Sequence, residues 1–155
     1  MTNHWSIAGI PLVLGGNVFG YTADEDTSFA ILDRFYEHGG RMVDTAQGYS
    51  VWVPGHVGGE SETVIGKWLA SRGVRAEMRI ATKTGMFGKP GDLAPGKVAG
   101  ELEKSLERLQ TDYVDLYYAH RDETWSARGW CARSALRTTT PSGSQPCMTL
   151  PPRAG

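Results

Sequence analysis

Four residues of the types used in carbonyl chemistry stand at the ends of successive apolar stretches. The segment RMVDTAQGY, from Arg41 to Tyr49, places a carboxylate at Asp44 and a phenol five positions later. The segment RIATK ends at Lys83, and YVDLYYAH ends at His120. In a barrel of alternating strands and helices, the strand ends converge on one rim, where active sites are built. We therefore predict that these four side chains form a single site.

Each of these residues also has a simpler interpretation when it is considered alone. Asp44 suits a helix cap or a turn, and Tyr49 suits a half-buried loop aromatic. Lys83 suits a solvated lysine at the rim, while His120 suits a buried hydrogen-bonding partner. Their shared position at strand ends, in a combination that fits one reaction, favours the catalytic interpretation.

The reaction that fits is protonation of a carbonyl oxygen while hydride reaches the carbon. A phenol with an ordinary pKa of about 10 is a poor proton donor near neutrality, and a neighbouring ammonium makes a phenol a stronger acid. Lys83 is the candidate ammonium, and Asp44 would keep it charged in a dry pocket. His120 would orient the carbonyl oxygen through a hydrogen bond. No side chain supplies hydride, so a nicotinamide cofactor is required.

Three helices are predicted between the strands. Asp24 caps the first helix and Gly39 ends it, whereas the second begins at Glu60 and ends at Gly73. The apolar positions of the second and third helices are Val64, Ile65, Trp68 and Leu69, then Val98, Leu102, Leu106 and Leu109. The residues of the third helix that we expect to face solvent are Glu101, Glu103, Lys104, Glu107 and Arg108. Strands separated by such helices predict a parallel sheet of the α/β class.

The beginning of the chain is less regular. Residues Trp5 to Leu14 suit a short hairpin or an opening strand. The glycine-rich segment GGNVFG, from Gly15 to Gly20, either brings main chain close to a ligand or simply makes a turn. The residues alone leave both alternatives open.

The composition indicates a protein without nucleic-acid or membrane partners. The 155 residues include 16 basic and 17 acidic side chains, with a net charge of -1 and 40% hydrophobic residues. The amino terminus lacks a charged region followed by an apolar one, and no apolar run is long enough to span a bilayer. We therefore expect a cytoplasmic protein. Cys131 and Cys147 support neither a metal site nor a disulfide framework.

The composition changes abruptly after Glu123. From Thr124 onward, the only charged residues are Arg128, Arg133, Arg137 and Arg153. We predict an organised region at residues 1–123 and an irregular, disordered tail at residues 124–155. One hypothesis is that the tail is translated from a shifted reading frame or follows a deletion, which the neighbouring frames of the gene would test. A natural low-complexity tail is the alternative.

The chain resembles the amino-terminal half of an aldo/keto reductase. The resemblance runs from about Leu14 to Asp122, and its segments are GGNVFG, EHGG, RMVDTAQGY, GGESETVIGKWL, RIATKTG and LEKSLERLQTDYVDLYYAHRD. It implies a partial TIM barrel of this family, with the first half only and an irregular carboxy-terminal tail. About four of the eight strands would be present, so the barrel would have exposed, unpaired edges through which self-association is possible, although nothing in the sequence specifies it.

The resemblance also implies an activity and the roles of the site residues. Tyr49 corresponds to the general acid, Lys83 to the group that tunes it and Asp44 to the charge partner of Lys83. The residue that orients the substrate corresponds to His120, while backbone near Gly16 and Asn17, together with the Asp44 carboxylate, would lie close to the nicotinamide ribose. The implied protein is an NADPH-dependent oxidoreductase that reduces aldehydes or ketones to alcohols, so its partner would be a small-molecule carbonyl substrate. The alternatives are a catalytically inactive fragment and a cofactor-binding or regulatory barrel relative.

Two departures from the family pattern accompany this resemblance. Gln47 and Gly48 stand where many relatives have an aspartate and a small or branched residue. In addition, no counterpart of the later barrel segments is recognisable after Glu123. Those segments include much of the family's cofactor pocket, so we separate the family assignment from the activity of this chain.

Overall fold

Strands and helices alternate along the chain in the computed structural model, which describes residues 9–87, 89 and 91–121. A short 3-10 helix at Arg75–Glu77 precedes the third strand. The other elements are β1 (Val13–Gly15), α1 (Glu25–Glu37), β2 (Met42–Asp44), α2 (Glu60–Arg72), β3 (Arg79–Thr84), α3 (Pro95–Leu109) and β4 (Leu116–Ala119). The predicted tail at residues 124–155 lies outside the described residues, as does the first part of the predicted opening segment.

The four strands form one parallel sheet in the order β1-β2-β3-β4. Asp44 pairs with Ala81, and Lys83 pairs with Tyr118. Successive side chains of a strand point to opposite faces. This register therefore places both pairs on the same face of the sheet, which we call the inner face. Val43 and Ile80 point to the other face, where both are fully buried in the core formed with the helices. The predicted α/β class and parallel pairing are confirmed.

The helix boundaries follow the local signals in the sequence. The Asp24 carboxylate accepts a hydrogen bond of 2.9 Å from the Thr27 main-chain N–H at the start of α1. Gly73 ends α2 with a φ of +66°, a left-handed conformation that glycine adopts without a steric penalty. Val64, Ile65, Trp68 and Leu69 are buried, as their spacing predicts. These predictions are confirmed.

The sequence-based predictions fail at three places in β3 and α3. Arg108 was expected in solvent, but only 24% of its side chain is exposed because it pairs with the buried Glu62. The third strand continues to Thr84, so Lys83 lies one residue before its end. Glu101 was expected in solvent, but only 15% of its side chain is exposed. The loop that follows β2 packs against α3, and the Gln47 amide donates a hydrogen bond to the Glu101 carboxylate. Helical spacing within α3 carries no information about this loop.

Candidate active site

Three of the predicted residues meet at the Lys83 ammonium. Its Nζ lies 2.8 Å from Asp44 Oδ2 and 2.6 Å from the Tyr49 hydroxyl oxygen. A further hydrogen bond of 2.8 Å reaches the main-chain carbonyl of Thr45. An ammonium has three hydrogens to donate, so these contacts use all of them. The Lys83 residue is only 7% exposed, and the Asp44 carboxylate supplies the opposite charge that a buried ammonium requires.

The direction of the hydrogen bond between Lys83 and Tyr49 follows from the chemistry of the two groups. An ammonium only donates hydrogen bonds, whereas a phenol oxygen both donates and accepts them. The Tyr49 oxygen must therefore accept from Lys83 at 2.6 Å. The hydroxyl hydrogen of Tyr49 stays free to bind an acceptor elsewhere, which is the arrangement that a proton donor needs.

His120 follows β4 directly and lies beside Tyr49. Its main-chain N–H donates a hydrogen bond of 2.7 Å to the Thr84 carbonyl at the end of β3. The imidazole meets the Tyr49 ring edge-on, with 5.6 Å between the ring centroids and an interplanar angle of 86°. The imidazole Nδ1 is buried and has no hydrogen-bond partner in the described part of the chain.

The charge state of His120 is set mainly by burial. Burial lowers the pKa of the imidazole below its ordinary value, and the nearby cations Lys83 and Arg121 lower it further. The Asp44 carboxylate acts in the opposite direction. Because its pKa lies below the ordinary histidine value, His120 is neutral near pH 7, and a neutral imidazole has one N–H that donates a hydrogen bond.

The predicted cofactor residues Gly16 and Asn17 follow the end of β1. The Gly16 N–H donates to the Asp44 carbonyl at 2.8 Å, and its carbonyl accepts a hydrogen bond of 2.7 Å from the Ser61 hydroxyl. A Cβ at Gly16 would lie 3.0 Å from that hydroxyl oxygen and 3.3 Å from the Asp44 carbonyl. Gly16 is therefore needed where β1, β2 and α2 approach closely, while Asn17 is exposed beside it.

Tyr118 is a member of the cluster that was missed from the sequence. Its hydroxyl donates a hydrogen bond of 2.6 Å to Asp44 Oδ1, the carboxylate oxygen that Lys83 does not contact. Burial raises the pKa of the Tyr118 phenol well above its usual range, and the hydrogen bond to the Asp44 carboxylate raises it further. A signal was available, because Tyr118 precedes His120 by two residues and strand alternation puts both on one face.

A buried ion pair lies behind the site, on the helix side of β3. Glu62 of α2 is fully buried and accepts hydrogen bonds of 2.6 Å from the Thr82 hydroxyl and from Arg108 Nε. The pair therefore ties α2, α3 and β3 together one residue before Lys83. The sequence offered a signal here as well, because Glu62 shares the buried side of α2 with Ile65 and Leu69 at helical spacing.

Neither a metal centre nor a membrane span is found in the part of the chain that the structure describes. Across residues 9–87, 89 and 91–121, no three His, Cys, Asp or Glu side chains come together in a group that could hold a metal ion. The helices within the same residues are all too short or too polar to cross a bilayer.

The chain belongs to the aldo/keto reductase family. The family model matches residues 11–139, which is more than half of the chain and extends past Glu123. The resemblance inferred from the sequence motifs is thereby confirmed. The predicted boundary between residues 123 and 124 remains a prediction.

Curated relatives include proteins of very different length. The chain is 54% identical over 76 residues to an uncharacterised 11.2 kDa protein encoded in the crtE 3' region of Pseudescherichia vulneris, covering 48% of this chain and 74% of that protein. It is 37% identical over 132 residues to norsolorinic acid reductase B of Aspergillus parasiticus, covering 74% of this chain and 33% of the relative. The chain thus spans about a third of the length of this reductase.

Solved structures give the same picture of the fold. An aldo-keto reductase from Klebsiella pneumoniae in complex with NADPH matches with a TM-score of 0.59 at 29% identity, over 73% of this chain and 36% of that protein. A Klebsiella pneumoniae aldo/keto reductase in complex with NADP and acetate matches with a TM-score of 0.56 at 29% identity, over 70% of this chain and 34% of that protein. The predicted partial barrel of this family is confirmed for the described sheet and helices.

Proposed function

We propose that this chain carries the proton-donating site of an NADPH-dependent oxidoreductase that reduces aldehydes or ketones to alcohols, with Tyr49 as the general acid. The contact of 2.6 Å between Lys83 Nζ and the Tyr49 oxygen carries this proposal. This contact leaves the phenolic hydrogen free to be donated, and the Lys83 ammonium stabilises the negative charge on the Tyr49 oxygen after the proton has left.

The residues of the site fit a nicotinamide cofactor in their chemistry. Asp44, Tyr49, Lys83 and His120 include acids, bases and hydrogen-bond donors but no redox group, so the site needs a hydride source. The reduced nicotinamide supplies that hydride when it is bound. Main chain near Gly16 and Asn17, together with the Asp44 carboxylate, would lie close to its ribose, and the absence of a side chain at Gly16 allows this main chain to lie against Asp44. The NADPH named in the Klebsiella structure supports the choice of cofactor.

Each side chain of the site has a distinct task in the proposed reduction. The carbonyl oxygen accepts the hydroxyl hydrogen of Tyr49 as the carbonyl carbon gains hydride, so that an alcohol and a Tyr49 phenolate result. Lys83 already donates a hydrogen bond to that oxygen and stabilises the phenolate charge, while Asp44 balances the ammonium. Neutral His120 donates a hydrogen bond that orients the carbonyl, and it does not compete with Tyr49 as an acid.

Turnover of NADPH with an aromatic aldehyde tests this assignment. We expect Tyr49→Phe to reduce kcat by about 10²–10⁴, the usual contribution of a general acid, and to leave NADPH binding unchanged in a fluorescence titration. Tyr117→Phe is the matched control, because this phenol belongs to the same sheet but contacts the Val98 carbonyl of α3 at 3.4 Å.

The result against the proposal is a Tyr49→Phe variant that keeps more than about a tenth of the wild-type kcat. A folded wild-type chain that binds no NADPH would exclude this function for these residues and favour the inactive-fragment alternative. The carbonyl substrate and the cytoplasmic location remain predictions, as does self-association through barrel edges.

A further inference from the structure

Tyr118 connects two strands that are not neighbours. It lies on the inner face of β4 in register with Lys83 of β3, and its hydroxyl reaches Asp44 on β2. The intervening inner-face residue in register with Asp44 is Ala81, whose side chain is a single methyl group. A small residue at this position leaves room for the Tyr118 ring to extend across β3.

The hydrogen bonds of the Asp44 carboxylate divide between two partners. Oδ1 accepts from the Tyr118 hydroxyl at 2.6 Å, and Oδ2 lies 2.8 Å from Lys83 Nζ. The Asp44 side chain is 24% exposed, so water competes for it. An aspartate carboxylate that is hydrogen-bonded at one oxygen only can rotate about χ2, whereas hydrogen bonds to both oxygens fix its orientation.

We propose that Tyr118 is a positioning residue of the reductase site, because it fixes the Asp44 carboxylate in the orientation from which Asp44 holds Lys83 against Tyr49. This inference rests on the proposed function for its kinetic consequences. The direction of the hydrogen bond agrees, since the raised pKa of Tyr118 keeps its phenol protonated and therefore a donor to Asp44. Tyr118 is accordingly not a second general acid.

The kinetic test compares two variants of β4 that each lose one phenolic hydroxyl. Tyr118→Phe removes the hydroxyl and keeps the ring, and Tyr117→Phe makes the same change on the opposite face of β4. We expect Tyr118→Phe to lower kcat about threefold to tenfold, because water replaces part of a hydrogen bond to a charged group. The KM for the aldehyde should stay unchanged, since Tyr118 acts through Asp44 and Lys83. Tyr117→Phe should leave both constants unchanged.

A second measurement requires no turnover. Reductive methylation followed by peptide mass spectrometry reports how readily the Lys83 amine is released from its partners, with exposed Lys104 as an internal reference. We expect Tyr118→Phe to speed methylation of Lys83 about twofold or more, because a loosened Asp44 lets the ammonium open more often. In an Asp44→Ala background, the same substitution should have no further effect.

The outcomes separate the two proposals. Faster Lys83 methylation in Tyr118→Phe that disappears in the Asp44→Ala background supports the positioning role even if the wild-type chain reduces no aldehyde, in which case only the proposed function fails. The positioning role is overturned if Tyr118→Phe methylates Lys83 at the wild-type rate. It is equally overturned if the acceleration persists without Asp44, because Tyr118 would then act by another route.

Discussion

Replacing Arg108 with alanine should destabilise the fold much more than an ordinary surface substitution. The Glu62 carboxylate is fully buried, and Arg108, with 24% of its side chain exposed, is the cation that contacts it. Without Arg108, the carboxylate keeps the hydrogen bond from the Thr82 hydroxyl but loses its charge partner. Removing one member of a buried pair typically costs about 3–5 kcal/mol, because an uncompensated charge stays behind.

Urea unfolding followed by tryptophan fluorescence measures this cost. Domains of this size unfold with a free energy of about 5–15 kcal/mol, so the loss should move the urea midpoint far beyond experimental error. The matched control is Arg34→Ala, which breaks an exposed ion pair to Glu37 whose atoms lie 3.9 Å apart. This control should change the midpoint little, because exposed pairs contribute little to stability.

A second substitution identifies the origin of the effect. Adding Glu62→Gln to Arg108→Ala removes the buried charge and keeps a group that accepts from Thr82, so the double variant should regain stability relative to Arg108→Ala alone. The reasoning is refuted if Arg108→Ala costs no more than Arg34→Ala. A double variant less stable than the single one would also contradict it, because the cost would then not lie in the charge.

Two further predictions concern α2 and the histidine of the site. Gly66→Ala should destabilise the chain in urea by about 1–3 kcal/mol, because its Cβ would lie 2.2 Å from the Arg108 carbonyl oxygen. The control Gly100→Ala meets no atom within 4 Å and should gain up to about 1 kcal/mol of helix stability. The pKa of His120 is lower in the folded chain than in the unfolded chain. As pH drops below about 6.5, the imidazole is protonated more readily in the unfolded chain, so the free energy of unfolding should fall. Urea midpoints across this range should show less of that fall in His120→Gln, and an identical pH profile would contradict the assignment.

The local features of the fold were accessible from the sequence. Asp24 caps α1 and Gly73 ends α2 as predicted, because capping depends on side chains and φ angles within a few residues. The buried stripe of α2 follows from helical spacing in the same way. Successive strand endings in Asp44, Lys83 and His120 predicted a shared rim, since parallel strands connected by helices point the same way.

Only the tertiary structure decided the contacts between elements far apart in the chain. The bond from Tyr118 to Asp44 depends on the register of β4 on β3 and on the small Ala81 between them, and the pairing of Glu62 with Arg108 depends on how α2 meets α3. Helix propensity alone would favour alanine over Gly66, yet the approach of α3 requires glycine. Periodicity determines which side of an element is buried, but the partner that covers that side is set by the packing of the whole chain.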